Sequence, residues 1–85
     1  MKEFTYTIKD ELGIHARPAG LLVKEASKFK SDITIENGDK KGDAKKIFSV
    51  MGLGVKSGNT ITVKLTGEDE EEAKDAILSF LEQNL

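Results

Sequence analysis

The segment Gly13-Ile14-His15-Ala16-Arg17-Pro18-Ala19 (GIHARPA) marks the junction between a loop and the first helix, and the other elements are ordered around it. Pro18 lacks a backbone N–H and is tolerated only in the first turn of a helix. We therefore expect Ala16, Arg17 and Pro18 to form that turn, with His15 at or beside the N-cap. Further along, apolar residues recur at helical spacing, at Ala19, Leu22, Val23, Ala26 and, after a further turn, Phe29.

Alternating sequence on both sides of this helix predicts strands. Residues Phe4 to Ile8 alternate apolar or aromatic side chains with threonines, which is typical of a half-buried strand. After the helix, Ile33 and Ile35 alternate with polar neighbours and lead into Asn37-Gly38. This dipeptide is a strong hairpin signal because both residues tolerate positive φ. A short charged strand, about Lys40 to Ala44, is expected to return from it.

The second half of the chain predicts one more strand and two more helices. Ile47, Val50, Met51 and Leu53 indicate a short helix that ends at nearby glycines, and Thr60 to Leu65 alternates like a strand. Asp69 is placed as an N-cap, with Glu72 three residues on as in a capping box. The stripe of the last helix is Ala73, Ala76, Ile77, Phe80 and Leu81. The order βαββαβα predicts an α+β fold, a four-stranded, mostly antiparallel sheet covered on one face by three helices.

Length and composition exclude several classes of protein. Eighty-five residues without cysteine allow one domain, residues 1–85, with no disulfide or thiolate metal site. Thirteen basic and fifteen acidic residues give a net charge of −2, which disfavours nucleic acid as a partner. No apolar run is long enough to enter a membrane, and we expect a cytoplasmic protein. The acidic cluster from Glu68 to Glu72 reads as a solvated helix start, so no metal site is expected.

His15, the only histidine, carries the chemistry that the sequence suggests. The unpaired amides of a helix start attract anions, and the planar guanidinium of Arg17 suits phosphate oxygens. Nearby positive charge favours a neutral, nucleophilic imidazole, and the same surroundings would stabilise a phosphoryl group once it is attached. The plainer alternative is that a lone histidine beside a helix start is only a capping or surface residue.

These residues closely resemble the HPr family, the histidine-containing phosphocarriers of the bacterial phosphoenolpyruvate:sugar phosphotransferase system. The resemblance spans essentially the whole chain and includes Gly13 to Ala19, Lys24 to Phe29, Asn37-Gly38, Lys45 to Gly54 and Gly67 to Glu70. It implies an open-faced β-sandwich that is a carrier and not an enzyme. Phospho-enzyme I would phosphorylate the imidazole δ nitrogen of His15, and the group would pass to IIA domains of sugar permeases. Arg17 and the amides of Ala16 and Arg17 would hold the phosphoryl group, with no cofactor, and the protein would be a monomer.

The resemblance also implies a docking surface for these partners on the first helix and the short second helix. The matching residues are Ala16, Gly20, Leu21 and Lys24, with Ile47, Phe48 and Met51 as an apolar patch. Apolar residues at helical spacing are more often core than interface, so Ile47, Val50 and Leu53 could all be buried. Phe48 and Met51 would then share a different, exposed face.

The sequence departs from the family at two positions. Lys46 stands where HPr of low-GC Gram-positive bacteria has a regulatory serine, so loss of serine-based control is expected. Ser49, nearly one helical turn away, is not expected to take over that role. Leu12 occupies a position where the family usually has a short polar residue. A side-chain hydrogen bond from this position near the imidazole is therefore in doubt. These departures keep a second hypothesis open, an HPr-like regulatory module that binds partners without phosphoryl transfer.

Overall fold

The computed structural model describes residues 1–85 and has seven elements in the predicted order. In chain order they are β1 (Lys2–Thr7), α1 (Ala16–Ala26), β2 (Asp32–Asn37), β3 (Lys40–Asp43), α2 (Ile47–Met51), β4 (Thr60–Thr66) and α3 (Glu70–Asn84). The prediction of a βαββαβα chain is confirmed, and most element ends lie within two residues of the expected ones. The exceptions are α1, which ends at Ala26 and leaves Phe29 outside the helix, and α3, which continues three residues past Leu81. None of the three helices combines the length and the hydrophobicity that a membrane-spanning helix requires.

The four strands form one sheet in the order β1-β4-β2-β3, and all three pairings are antiparallel. Thr7 at the end of β1 pairs with Thr60 at the start of β4, so the loop after β1 and the loop before β4 lie at the same end of the sheet. Asp32 pairs with Thr66 and marks the opposite end. This register places the segment that carries His15 at one end of the molecule.

The core lies between the sheet and the helices. Period-two alternation along β2 and β4 sends every second residue inward, and the helical stripes of α1 and α3 cover that face. The cluster of 18 buried apolar residues is Ile8, Ile14, Ala19, Leu22, Ala26, Ile33, Ile35, Ala44, Val50, Leu53, Val55, Ile61, Val63, Leu65, Ala73, Ile77, Leu81 and Leu85. The outer face is polar and carries the ion pair of Lys64 with Glu36 at 3.0 Å. The predicted open-faced sandwich is therefore confirmed.

The predicted hairpin between β2 and β3 forms, but its two-residue turn is Gly38-Asp39, one residue later than expected. Of the pair Asn37-Gly38, only Gly38 adopts positive φ, at 64°, whereas Asn37 remains in β2. The side-chain amide of Asn37 donates instead to the carbonyl oxygen of Leu53 at 3.0 Å. The asparagine thus ties the hairpin to the segment that follows α2.

The prediction of a capping box at the start of α3 is wrong. Asp69 is the N-cap residue, but its side chain makes no capping hydrogen bond. Its carboxylate accepts the amides of Lys30 and Ser31, both at 2.9 Å, and the Ser31 hydroxyl at 2.5 Å. The Ser31 hydroxyl first, and then the Lys30 amide, lower the pKa of Asp69 to about 2. The carboxylate therefore joins the α1–β2 loop to the start of α3, and Glu72 is exposed.

Candidate functional site

The loop from Ile8 to Ile14 is fixed by backbone hydrogen bonds at both ends. The amide of Ile8 donates to Asn59 at 2.9 Å, and the amide of Ile14 donates to Val55 at 3.1 Å. Gly13 has φ of 67°, and a Cβ there would collide with the carbonyl oxygen of Val55, so only glycine fits. The loop consequently delivers the next residue, His15, to a defined place.

His15 is the N-cap residue of α1, as predicted, with extended backbone angles of φ −107° and ψ −177°. Its carbonyl oxygen accepts the amide of Ala19 at 2.9 Å, and its partly exposed ring makes no hydrogen bond within the protein. The amides of Ala16 and Arg17 have no acceptor, and Pro18 has no amide to offer. The start of α1 therefore presents an imidazole and two free N–H donors together.

Arg17 supplies the positive charge of the site. It is exposed and takes part in none of the four ion pairs of the structure. An open, shallow pocket at this end of the molecule is lined by Asp10, His15, Arg17, Pro18, Leu21 and Asn84. A guanidinium without a partner, two free amides and an imidazole can orient an anion next to a nucleophilic nitrogen.

Two residues of this pocket, Asp10 and Asn84, were missed in the sequence. Asp10 begins the loop three residues before Gly13, which is a position where aspartate often closes a turn, so a local signal existed. Asn84 is close to the chain end and reaches the pocket because α3 packs beside α1. No local pattern indicates that contact.

The residues expected to dock a partner lie on one continuous surface of α1 and α2. A Cβ at Gly20 would be 3.8 Å from the Cδ1 atom of Ile47, which is an ordinary contact distance and indicates that the two helices touch there. Leu21 is 44% exposed, Ile47 37%, Phe48 85% and Met51 39%, and Ala16 and Lys24 are also exposed. Val50 and Leu53 are buried. Of the three residues that could all have been buried, Val50 and Leu53 belong to the core, whereas Ile47 lies on the surface.

The two departures from the family also have defined surroundings. Lys46 is exposed at the N-cap of α2 and forms no ion pair. The hydroxyl of Ser49 accepts the amide of Asp43 at 2.8 Å, so Ser49 braces the end of β3. Leu12 is 71% exposed, and its amide donates to the carboxylate of Asp10 at 2.8 Å.

A sheet covered on one face by helices, with one partly exposed histidine at a helix start, defines a small α+β protein of the open-faced sandwich class. Residues 2–83 match the family model described as PTS HPr component phosphorylation site. The phosphocarrier protein HPr of Mycoplasma genitalium is 48% identical over 85 residues, covering 99% of this chain and 97% of that protein. The chain belongs to the HPr family, the phosphocarriers of the phosphotransferase system.

Solved structures agree with this assignment. The histidine-containing phosphocarrier protein of Mycoplasma superposes with a TM-score of 0.94 at 43% identity, over 96% of this chain and 93% of that one. A dimer of HPr from Thermoanaerobacter tengcongensis gives a TM-score of 0.78 at 48% identity, over 98% and 95% of the chains. The HPr-like protein Crh of Halalkalibacterium halodurans is 45% identical over 83 residues, covering 98% of this chain and 99% of that protein.

Proposed function

We propose that this protein is a phosphoryl carrier that accepts a phosphoryl group on His15 from phospho-enzyme I and passes it to IIA domains. The lone pair of the imidazole δ nitrogen attacks phosphorus, and an N–P bond forms as the bond between phosphorus and enzyme I breaks. Transfer onward reverses this at the acceptor. The protein is restored unchanged, so it acts as a carrier with a covalent intermediate and not as an enzyme, and needs no cofactor.

The observation that carries this proposal is the set of unused groups at the start of α1. The His15 ring, the amides of Ala16 and Arg17, and the Arg17 guanidinium have no partners within the protein. A helix start contributes about 0.3–1 kcal/mol to an exposed anion, and a hydrogen bond to a charged group contributes about 1.5–3 kcal/mol. These magnitudes orient a phosphoryl group in an open pocket without trapping it, as transfer to a second protein requires.

We place partner docking on the surface of α1 and α2 described above, namely Ala16, Gly20, Leu21, Lys24, Ile47, Phe48 and Met51. Exposed apolar side chains, among them an aromatic ring and a methionine, are typical anchors of an interface. The unpaired ammonium of Lys46 at its edge favours an acidic partner surface. A fixed positive charge there also removes the serine-based switch of low-GC Gram-positive relatives.

We further propose that residues 1–85 form a single HPr-like domain that acts in the cytoplasm as a monomer. The docking surface supports the monomer, because a second copy seated on α1 and α2 would cover the groups that the partners need. Sedimentation equilibrium at micromolar concentration tests this. A single species near 9.3 kDa is expected, and a dimer like that of the Thermoanaerobacter relative would overturn the monomer.

Phosphoryl transfer in a purified system tests the proposed function. The protein, enzyme I and phosphoenolpyruvate are mixed, and intact-mass spectrometry at alkaline pH follows the protein. Wild type is expected to gain one acid-labile phosphoryl group and to lose it when a IIA domain is added. His15→Ala is expected to gain none, with the same thermal unfolding midpoint as wild type. Failure of wild type with enzyme I proteins from several bacteria would contradict the proposal.

A second function has some support, namely an HPr-like module that regulates partners by binding alone. Lys46 in place of the serine and Leu12 in place of a short polar residue favour it, as does the similarity to Crh. The retained pair of His15 and Arg17 favours the carrier. A strain in which His15→Ala keeps every growth phenotype of the wild-type protein would favour the binding module, and loss of sugar uptake would favour the carrier.

A further inference from the structure

Asp10 organises the turn that leads to the candidate phosphoryl site. Its amide donates to the Leu85 carbonyl oxygen at 2.8 Å, and its own carbonyl oxygen accepts the amide of Gly13 at 3.0 Å. Its carboxylate oxygen Oδ1 accepts the amide of Leu12 at 2.8 Å. Three hydrogen bonds from one residue therefore close the 10–13 turn and attach it to the end of the chain. Such side-chain turns of aspartate are a common way to fix a short loop.

The same side chain lines the pocket that contains His15 and Arg17. Asp10 forms no ion pair with Arg17 or with any other cation of the structure. Its second carboxylate oxygen, Oδ2, makes no hydrogen bond. An uncompensated negative charge thus lies beside the place where a phosphoryl dianion would be held.

We infer that Asp10 is a positioning residue of this site, whose turn presents His15 and whose free charge keeps the phosphorylated state ready for transfer. The inference rests on the proposed carrier function and adds a residue to it. In this chain the exposed apolar side chain of Leu12 can neither donate nor accept, and the hydrogen bond within the loop is the one that the Leu12 backbone amide donates to the Asp10 carboxylate.

The charge and the turn make different, separable contributions. In water-like surroundings two unit charges about 4 Å apart interact by about 1 kcal/mol, so a unit charge beside a dianion shifts an equilibrium severalfold. The shift is weakened by salt, because the Debye length falls from about 30 Å at 0.01 M to about 3 Å at 1 M. The turn depends on an acceptor at Oδ1, and the charge strengthens that hydrogen bond. Asparagine keeps that acceptor, and alanine removes it.

Three variants separate these contributions. Asp10→Asn removes the charge and keeps the turn, and Asp10→Ala removes both. Asp32→Asn is the matched control, because this exposed aspartate lies at the opposite end of the sheet and forms no ion pair. Two quantities are measured. One is the ratio of phosphorylated to unphosphorylated protein at equilibrium with phospho-enzyme I, and the other is the hydrogen exchange rate of the Leu12 amide. Exchange of strand amides in β4 reports that each variant is folded.

The inference predicts that Asp10→Asn raises the equilibrium constant for phosphorylation severalfold at low salt and by much less at high salt. Its Leu12 amide should exchange somewhat faster than in wild type and more slowly than in Asp10→Ala, because a neutral acceptor keeps a weaker hydrogen bond. Asp10→Ala should speed exchange of that amide at least about tenfold. A hydrogen bond to a charged acceptor contributes about 1.5–3 kcal/mol, and its loss raises the equilibrium constant for opening of the turn by more than about tenfold. Asp32→Asn should change neither quantity.

Either of two results would overturn the inference. One is an Asp10→Asn equilibrium equal to wild type at low salt, and the other is a protected Leu12 amide in Asp10→Ala. Failure of the carrier function itself is recognised separately, because wild type would then take no phosphoryl group from enzyme I in the same mixture.

Discussion

Replacing Phe48 with alanine should weaken partner binding without weakening the fold. The ring is 85% exposed, and a phenylalanine side chain has about 200 Å² to bury, so about 170 Å² is open to a partner. At about 25 cal/mol per Å² its complete burial would contribute about 4 kcal/mol, and half burial about 2 kcal/mol. We therefore expect Kd for enzyme I to rise about thirtyfold. Because the ring is exposed in the free protein, the free energy of unfolding should change by less than about 0.5 kcal/mol.

Titration calorimetry against enzyme I and urea unfolding measure these two quantities. The kinetic counterpart is a higher KM for phosphorylation at nearly constant kcat, since Phe48 would contact the partner and not the reacting atoms. Thr5→Ala is the control, because Thr5 is exposed on the sheet face that carries no helix. An unchanged Kd for Phe48→Ala, or an equal loss of affinity in Thr5→Ala, would refute docking on the α1 and α2 surface.

Three further variants test other parts of the structure. Arg17→Ala should slow phosphorylation of His15 by about 10-fold to 100-fold through loss of a charged donor. Its unfolding midpoint should not move, because Arg17 forms no ion pair. Equal phosphorylation rates in the variant and wild type would contradict the phosphoryl-binding role of Arg17. Leu22→Ala removes a fully buried side chain and should cost about 2–5 kcal/mol in urea unfolding, and a smaller loss would argue against tight packing of α1. The folded pKa of Asp69, about 2, is below its unfolded value of about 4. Its stabilising contribution is therefore complete above about pH 4 and is lost as the pH falls toward 2. Asp69→Asn should give a flatter dependence of stability on pH in this range, and an unchanged slope would contradict the pKa shift.

Sequence patterns predicted the elements whose signal is local. The alternation of Ile33 with Ile35, and of Ile61 with Val63 and Leu65, follows the strand period and needs only one buried face. Pro18 located the first turn of α1 because a residue without an N–H is restricted to that position. The position of Pro18 in the sequence therefore sufficed to place His15 at the N-cap.

Features that depend on tertiary contacts were not predictable in this way. Asp69 has the spacing of a capping box, but Ser31 and Lys30 reach its carboxylate across 38 and 39 residues of sequence, and that contact replaces the local one. Asn84 lines the His15 pocket for the same kind of reason, because helix packing brings α3 beside α1. For α2 the spacing of Phe48 and Met51 indicated a shared face, whereas the exposure of Ile47 depends on how α2 rests against Gly20.

Nuclear magnetic resonance of the protein before and after phosphorylation by enzyme I tests the central claim most directly. The account predicts that phosphorus couples to the δ nitrogen of the His15 ring, and that the amide protons of Ala16 and Arg17 move downfield as they donate to the new phosphoryl oxygens. Amides in the middle of β4 should stay in place. A phosphoryl group on any other residue, or unmoved Ala16 and Arg17 amides beside a phosphorylated ring, would contradict it.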